Sequence, residues 1–384
     1  MKWRMFICAI CFLIGGCSLN IPLEDQFSDP DAITDVLSAR SLLASAYKAM
    51  PQQIFQLSVL SDDFCPSQHL NKDMSLQGLY NWREVEMTEL AGTLWAGYYA
   101  VIAEVNALLA RIDAVVTLDE TEKLEKMRIV CEAKALKSWC YFDLLRLFAP
   151  RYEGNENKDG IILKKRVELD FLPRSSVKEC VTEIRTLLNE ARNVDNTQKN
   201  VYWLSDKAVA YLQVELELYA GNYPAVLELT KDLETEYPES VLGADVYKYL
   251  WSSENSDARI FGKYQLEQIY MDIRFDTFEK GDYLVLSQNV DYEEEDIRKE
   301  WSEIPFVMPD AKNVRLLGKY NKMNRDKVAS KYVNVARAAG MWLMRVEALA
   351  RSGKEGDAVA LANRMLKQRG ATCLLYTSDA ADEL

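Results

Sequence analysis

Side chains suited to chemistry are few in this 384-residue chain, which carries a single histidine, His69. One imidazole removes the common His-based zinc sites and leaves a Ser-His or Cys-His mechanism a single candidate. His69 lies in the polar stretch Pro66 to Asp73, which reads as a solvated loop. No Gly-rich phosphate loop, nucleophile elbow or dinucleotide fingerprint occurs. The 59 Asp and Glu residues leave room for the carboxylate pair of a glycosidase, but no spacing singles one out. Residue types alone therefore single out no catalytic, metal or cofactor site.

The cysteines point the same way, with one exception. Cys8 and Cys11 sit in an apolar leader and Cys373 in the final segment, leaving Cys17, Cys65, Cys131, Cys140 and Cys180. No pair has metal-site spacing. On one helix, Cys131 and Cys140 would be separated by about 900° of rotation and face opposite ways, so they cannot bridge. Most of the four after Cys17 read as buried small apolar residues.

Cys17 is the exception because of what precedes it. Lys2 and Arg4 form a basic start, Met5 to Ile14 is apolar, and Gly15-Gly16 leads into Cys17. That run is too short to span a bilayer but suits a signal-peptide core. Residues 1–16 are therefore expected to be a lipoprotein signal, with Cys17 acylated as the mature N-terminus. At the other end, residues 373–384 match the translation of a sequencing-library adapter, which predicts a natural sequence that continues past Thr372. The formal net charge of −13 argues against nucleic acid as a partner.

The elements that would position a binding site are mostly helical. Met127, Cys131, Ala135, Trp139, Phe142, Leu145 and Phe148 hold one helical face until Pro150. A preceding helix, about Leu90 to Val116, carries Leu94, Tyr98, Val101, Val105, Leu108 and Ile112. The acidic turn Leu118 to Thr121 joins the two, which should pack antiparallel. Ser176 to Arg192 opens with a Ser-x-x-Glu capping box. Two helical hairpins follow: Ser205 to Ala220 with Tyr223 to Tyr237, and Lys331 to Ser352 with Glu355 to Gln368. Such hairpins suit a tetratricopeptide-like array. Residues 240–330 break the pattern with short apolar runs amid charged and aromatic residues, as an irregular insertion with a few short strands would.

The order of motifs carries a family resemblance. After the lipoprotein cysteine come Asp62-Asp63, then Trp95-x-x-Tyr98-Tyr99-x-x-Ile102-x-x-x-Asn106, then the block from Glu132 to Phe148. Leu172-Pro173-Arg174-Ser175-Ser176-Val177 and Tyr219-Ala220-Gly221-Asn222-Tyr223 follow. Asp296-x-Arg298, Lys319-Tyr320 and Leu343-Met344-Arg345-Val346-Glu347-Ala348 complete the series. Together they resemble the SusD/RagB family of Bacteroidota outer-membrane lipoproteins. The resemblance implies a mainly α, tetratricopeptide-like scaffold anchored by lipid in the outer membrane, with its exposed face outward. It also implies a SusC-like, TonB-dependent transporter as partner and an oligosaccharide, or sometimes a peptide, as ligand, without catalysis. The expected organisation is a helical region at 17–239, the insertion at 240–330 and the start of a second helical region at 331–372.

Within that frame Trp95, Tyr98, Trp139, Tyr141 and Phe142 recur at helical spacing and read as core. Glu132, Asp143 and Arg146 should tie helices together, and Arg174 should fix a turn. Ligand contact is expected where aromatics leave that periodicity. Sugar binding needs a flat ring face beside amides, carboxylates or Arg to take hydroxyls. Tyr80-Asn81-Trp82-Arg83 supplies that mixture in an expected loop, and Trp251, Tyr270 and Trp301 of the insertion are further candidates. A lipid-anchored scaffold that binds only proteins is the alternative.

Overall fold

The computed structural model describes residues 33–51, 54–66, 74–167, 171–192, 200–251, 255–264, 284–286, 292–307, 313–319 and 332–372. Cys17, His69, Tyr270 and the segment 373–384 lie outside them.

Helix α1 (Val36–Ala49) starts at Asp35, whose carboxylate accepts from Ser38 N at 2.7 Å in a reciprocal capping box. Its buried residues Val36, Ala39, Leu42, Leu43 and Ala46 fall three and four apart and face the two longest helices. Those are α2 (Glu84–Arg111) and α3 (Glu120–Phe148). Helix α2 begins six residues before Leu90, because Glu84 and Glu86 place negative charge at its first turn. By length and composition it could cross a membrane, yet Leu94, Tyr98, Val101, Ile102, Val105 and Leu108 are buried in the protein core.

The expected antiparallel packing of α2 and α3 is visible in two cross-links. The Tyr98 hydroxyl donates to Asp143 at 2.9 Å, and Lys137 donates to Asn106 at 2.6 Å, so ascending α2 meets descending α3. Trp139, Tyr141 and Phe142 are buried, and Trp95 packs partly buried against the same core. Glu132, fully buried, meets Arg40 of α1 at 3.0 Å. Arg146 bridges Asp143 and, at 2.7 Å, Glu215. Arg174 donates to the carbonyls of Phe148 and Gly160 and lies over the Trp95 ring, fixing the turn as expected.

Helix α4 (Val177–Ala191) has the predicted Ser176/Glu179 capping box. Helices α5 (Asp206–Tyr219) and α6 (Tyr223–Leu229) form the predicted hairpin around Gly221, whose φ of 69° is the left-handed conformation such a turn requires. The expected single helix from Tyr223 to Tyr237 is instead interrupted at Thr230 and resumes as a short turn at Leu233–Glu236. Arg345 explains how the break is tolerated: its Nη1 donates to the carbonyls of Leu227 and Thr230 and to the Thr230 hydroxyl, at 2.9 to 3.0 Å.

Two small antiparallel sheets lie beyond. Strands β1 (Phe64–Pro66), β3 (Leu284–Leu286), β5 (Asn313–Leu317) and β4 (Glu303–Val307) form one in that spatial order, and β2 (Arg259–Tyr264) pairs with β6 (Tyr332–Arg337) in the other. Strand β6 corrects the expected helix from Lys331. Tyr332-Val333-x-Val335 suits a strand, β2 supplies its hydrogen-bond partners, and helix α7 (Ala338–Arg351) begins only afterwards. Gly353 then turns the chain at φ 70° into α8 (Glu355–Gln368). The architecture is mainly helical, as expected.

Most of the apolar interior is one continuous core, with a second small core where helices meet strands. The latter consists of Val59, Leu79, Tyr247, Leu250, Trp251, Ala258 and Val333. Cys131, Cys140 and Cys180 are buried, while Cys65 is half-buried.

Candidate functional site

The segment 80–83 is a tight helix-to-helix junction, more ordered than the loop expected from sequence. A helix over Met74–Tyr80 ends there, and Trp82 N and Arg83 N donate back to the carbonyls of Leu79 and Gly78, each at 2.9 Å. The Asn81 side-chain amide donates to Gln77 O at 2.8 Å. Arg83 is the first residue before α2 and reaches Glu86 at 2.5 Å.

This geometry determines where Trp82 points. Its φ is 53°, a conformation that costs a residue with a Cβ about 1–2 kcal/mol and is normally left to glycine or asparagine. Its indole is nevertheless 62 % exposed, so burial does not account for a large aromatic at that position. A junction held by backbone hydrogen bonds thus presents a large aromatic residue to solvent, the group a sugar ring would stack on, with Asn81 and Arg83 beside it anchored to Gln77 and Glu86.

The structure gathers other sequence candidates around the second core. Tyr80 and Trp301 pack partly buried against it, and Trp251 lies within it. At 3 % exposure Trp251 shows solvent no ring face, so it acts here as an anchor and offers no open stacking platform. Its ring packs edge-on to Tyr247 with centroids 5.6 Å apart. Lys319 Nζ and Arg337 Cζ approach the same ring, at 5.0 and 5.6 Å from its centroid. Sequence reading did not single out these cations as site residues, because they come from a turn after β5 and the end of β6. Their only sequence signal is the Lys319-Tyr320 pair within the family pattern.

A groove of about 340 Å³ between α4 and the α5–α6 hairpin is less suited to ligand recognition. Its polar groups are committed to one another: Arg185 to Glu217 at 2.5 Å, Gln213 to Asn189 at 2.8 Å, and Asn222 to Glu217 at 2.7 Å. Among the described residues no group of three or more His, Cys, Asp or Glu is placed to hold a metal ion.

Comparison with known proteins gives a consistent result. The model of the SusD-like family, described as starch-binding and associating with the outer membrane, matches residues 23–214. A solved SusD-like carbohydrate binding protein from Bacteroides vulgatus superposes with a TM-score of 0.71 at 17 % identity, over 91 % of this chain and 78 % of that one. A SusD superfamily protein from Bacteroides thetaiotaomicron also gives 0.71, at 16 % identity, over 91 % of this chain and 82 % of that one. One from Parabacteroides distasonis gives 0.62 at 19 % identity, over 90 % and 83 %. At these identities the likeness is one of fold. No match is found among curated protein sequences.

Proposed function

The chain belongs to the SusD-like family, and from that premise we propose that it captures oligosaccharides at the outer membrane and passes them to a SusC-like, TonB-dependent transporter. Cys17 carries the lipid anchor, the helical array is the rigid body, and the 80–83 junction is the contact surface for sugar. The protein binds and releases its ligand unchanged.

The observation that carries this reading is Trp82, exposed and held in a left-handed conformation on a fixed helix junction. A side chain maintained there against local backbone preference is explained by what it presents outward. The test is calorimetric titration of the purified protein with a panel of neutral and acidic oligosaccharides and with peptides. Saturable glycan binding without product release, lost in Trp82→Ala with the thermal transition intact, is the expected result. Unchanged affinity in that variant removes Trp82 from the site, and binding of peptides alone replaces the ligand class. Co-purification with a TonB-dependent barrel from outer membranes tests the partner, and a Cys17→Ala variant that no longer sediments with membranes tests the anchor.

A further inference from the structure

We infer that the captured glycan is acidic, and that Lys319, Arg337 and Arg369 beside Trp251 receive its carboxylate or sulfate. The inference rests on the capture reading above and names the ligand's chemistry.

The argument starts from charge that the fold leaves uncompensated. In a chain of net charge −13, four cations converge on the second core. Lys319 and Arg337 approach the Trp251 ring, Arg369 lies 4.4 Å from the centroid of Tyr247, and Arg298 lies 5.1 Å from that of Tyr292. Only Arg298 has a carboxylate to itself: Asp296, 3 % exposed, accepts its guanidinium in a fork at 2.5 to 3.1 Å. Asp63 acts on Lys319 through space, while Arg298, Arg337 and Arg369 all oppose its charge.

Arg369 identifies the missing component. It is 7 % exposed, and its Nη1 is buried without a hydrogen-bond partner. Among the described residues the side chains of Lys319 and Arg337 form no hydrogen bond or ion pair either. A buried guanidinium N–H without an acceptor loses its hydration with nothing in return, which costs more than for a neutral donor. Burial, reinforced by neighbouring cations, brings Lys319 down to about 8 and Arg369 to about 10. One oxyanion would supply the acceptor that Arg369 lacks and neutralise the excess charge at the same time.

The chain builds this arrangement with close backbone contacts. Gly318 N donates to Ser302 O at 2.9 Å and sets the turn that carries Lys319. Gly370, at φ 85°, lets the end of α8 press against the Glu295 carbonyl, and Ile297 N donates to Arg369 O at 2.9 Å. The same small core holds Leu79 and Tyr80, which lead directly into Trp82. A cationic cluster and an aromatic platform thus share one foundation.

The test compares an oligogalacturonate, a sulfated oligosaccharide and a neutral oligosaccharide of equal length by calorimetry at low salt. The expected result is a preference of about tenfold or more for an acidic chain, the scale of one charge-assisted hydrogen bond, declining as NaCl rises. Whichever acidic chain binds tighter identifies the oxyanion. Lys319→Met and Arg337→Met should abolish the preference while neutral binding stays level, and Lys319→Arg should keep it, with circular dichroism and Tm confirming each fold. Equal affinity for acidic and neutral chains, or a preference that survives both Met variants, overturns the inference and leaves the capture reading standing. Failure of every glycan to bind overturns both.

Discussion

Removing Arg40 tests how the scaffold is held together. Glu132 lies in the middle of α3 with no solvent exposure, and Arg40 Nη1 reaches it from α1 at 3.0 Å. Arg40 also contacts Glu125 at 2.5 Å, but that carboxylate is 34 % exposed and can be hydrated when the guanidinium goes. Glu132 cannot. Tyr47 stands 3.4 Å from it, with its hydroxyl also accepting from Leu204 N, and is too weak a partner to replace a cation. Truncating one member of a buried pair costs about 3–5 kcal/mol, against about 0–1 kcal/mol for an exposed one. Arg40→Met should therefore lose about 3–5 kcal/mol in urea unfolding, with a fall in Tm of roughly 5–10 °C for a chain of this size. The deficit should narrow at acid pH, since a buried carboxyl that has lost this guanidinium is more easily protonated and protonation removes its charge. Arg40→Met combined with Glu132→Leu should recover most of the loss. A single variant costing less than about 1 kcal/mol, or a double variant as unstable as the single, would refute this account.

Three further outcomes can be checked. Gly370→Ala places a methyl against the Glu295 carbonyl carbon, 3.0 Å away, at φ 85°, so it should cost more than the ~1 kcal/mol of the left-handed conformation alone in urea melts. It should also weaken acidic-glycan binding by displacing Arg369. Arg345→Met strands the carbonyls at the Thr230 break and should cost about 1.5–3 kcal/mol, with hydrogen exchange rising first around residues 227–233. Lys319, facing Arg337, Arg298, Arg369 and Asp63, is lowered by burial from its usual 10.5 to about 8, which gives stability and binding opposite pH trends. Its protonated form is penalised in the fold, so its contribution to apo stability should improve as pH rises from about 8 towards 10.5, while affinity for an acidic glycan should fall over the same range. Affinity rising with pH in calorimetry would contradict that assignment.

The scaffold was largely legible from sequence because helical periodicity is a local signal. The faces of α2 and α3, the capping box at Ser176 and the glycine turns at 221 and 353 all depend on residues within a few positions of one another. Errors arose where a distant partner decided the outcome. Tyr332 to Arg337 is a strand because β2, some seventy residues earlier, pairs with it. The helix after Tyr223 breaks where Arg345 can take its carbonyls. The candidate site divides in the same way. The 80–83 segment was visible as a local mixture of residue types, although its left-handed turn was not. Trp251 looked similar by composition, but its burial is set by Val59, Leu79 and Val333, each remote in sequence. The cations around it share no motif that periodicity could reveal.

The division between these two kinds of information also bears on how the protein recognises its ligand. The helical hairpins are braced by polar cross-links such as Tyr98 to Asp143 and Arg146 to Glu215, each satisfied within the fold. Two groups with surplus capacity lie near the place where helices meet irregular structure: an aromatic residue presented at 62 % exposure and a guanidinium nitrogen buried without an acceptor. Both would be costly defects if the protein had only to be stable. Both connect to one small core, with Leu79 and Tyr80 leading to the first and Tyr247 beneath the second, which is the connection a single ligand using both would need. Specificity would then depend on the turn after β5 and the ends of β6 and α8, which carry Lys319, Arg337 and Arg369, and the rest of the helical array could stay constant while those segments change.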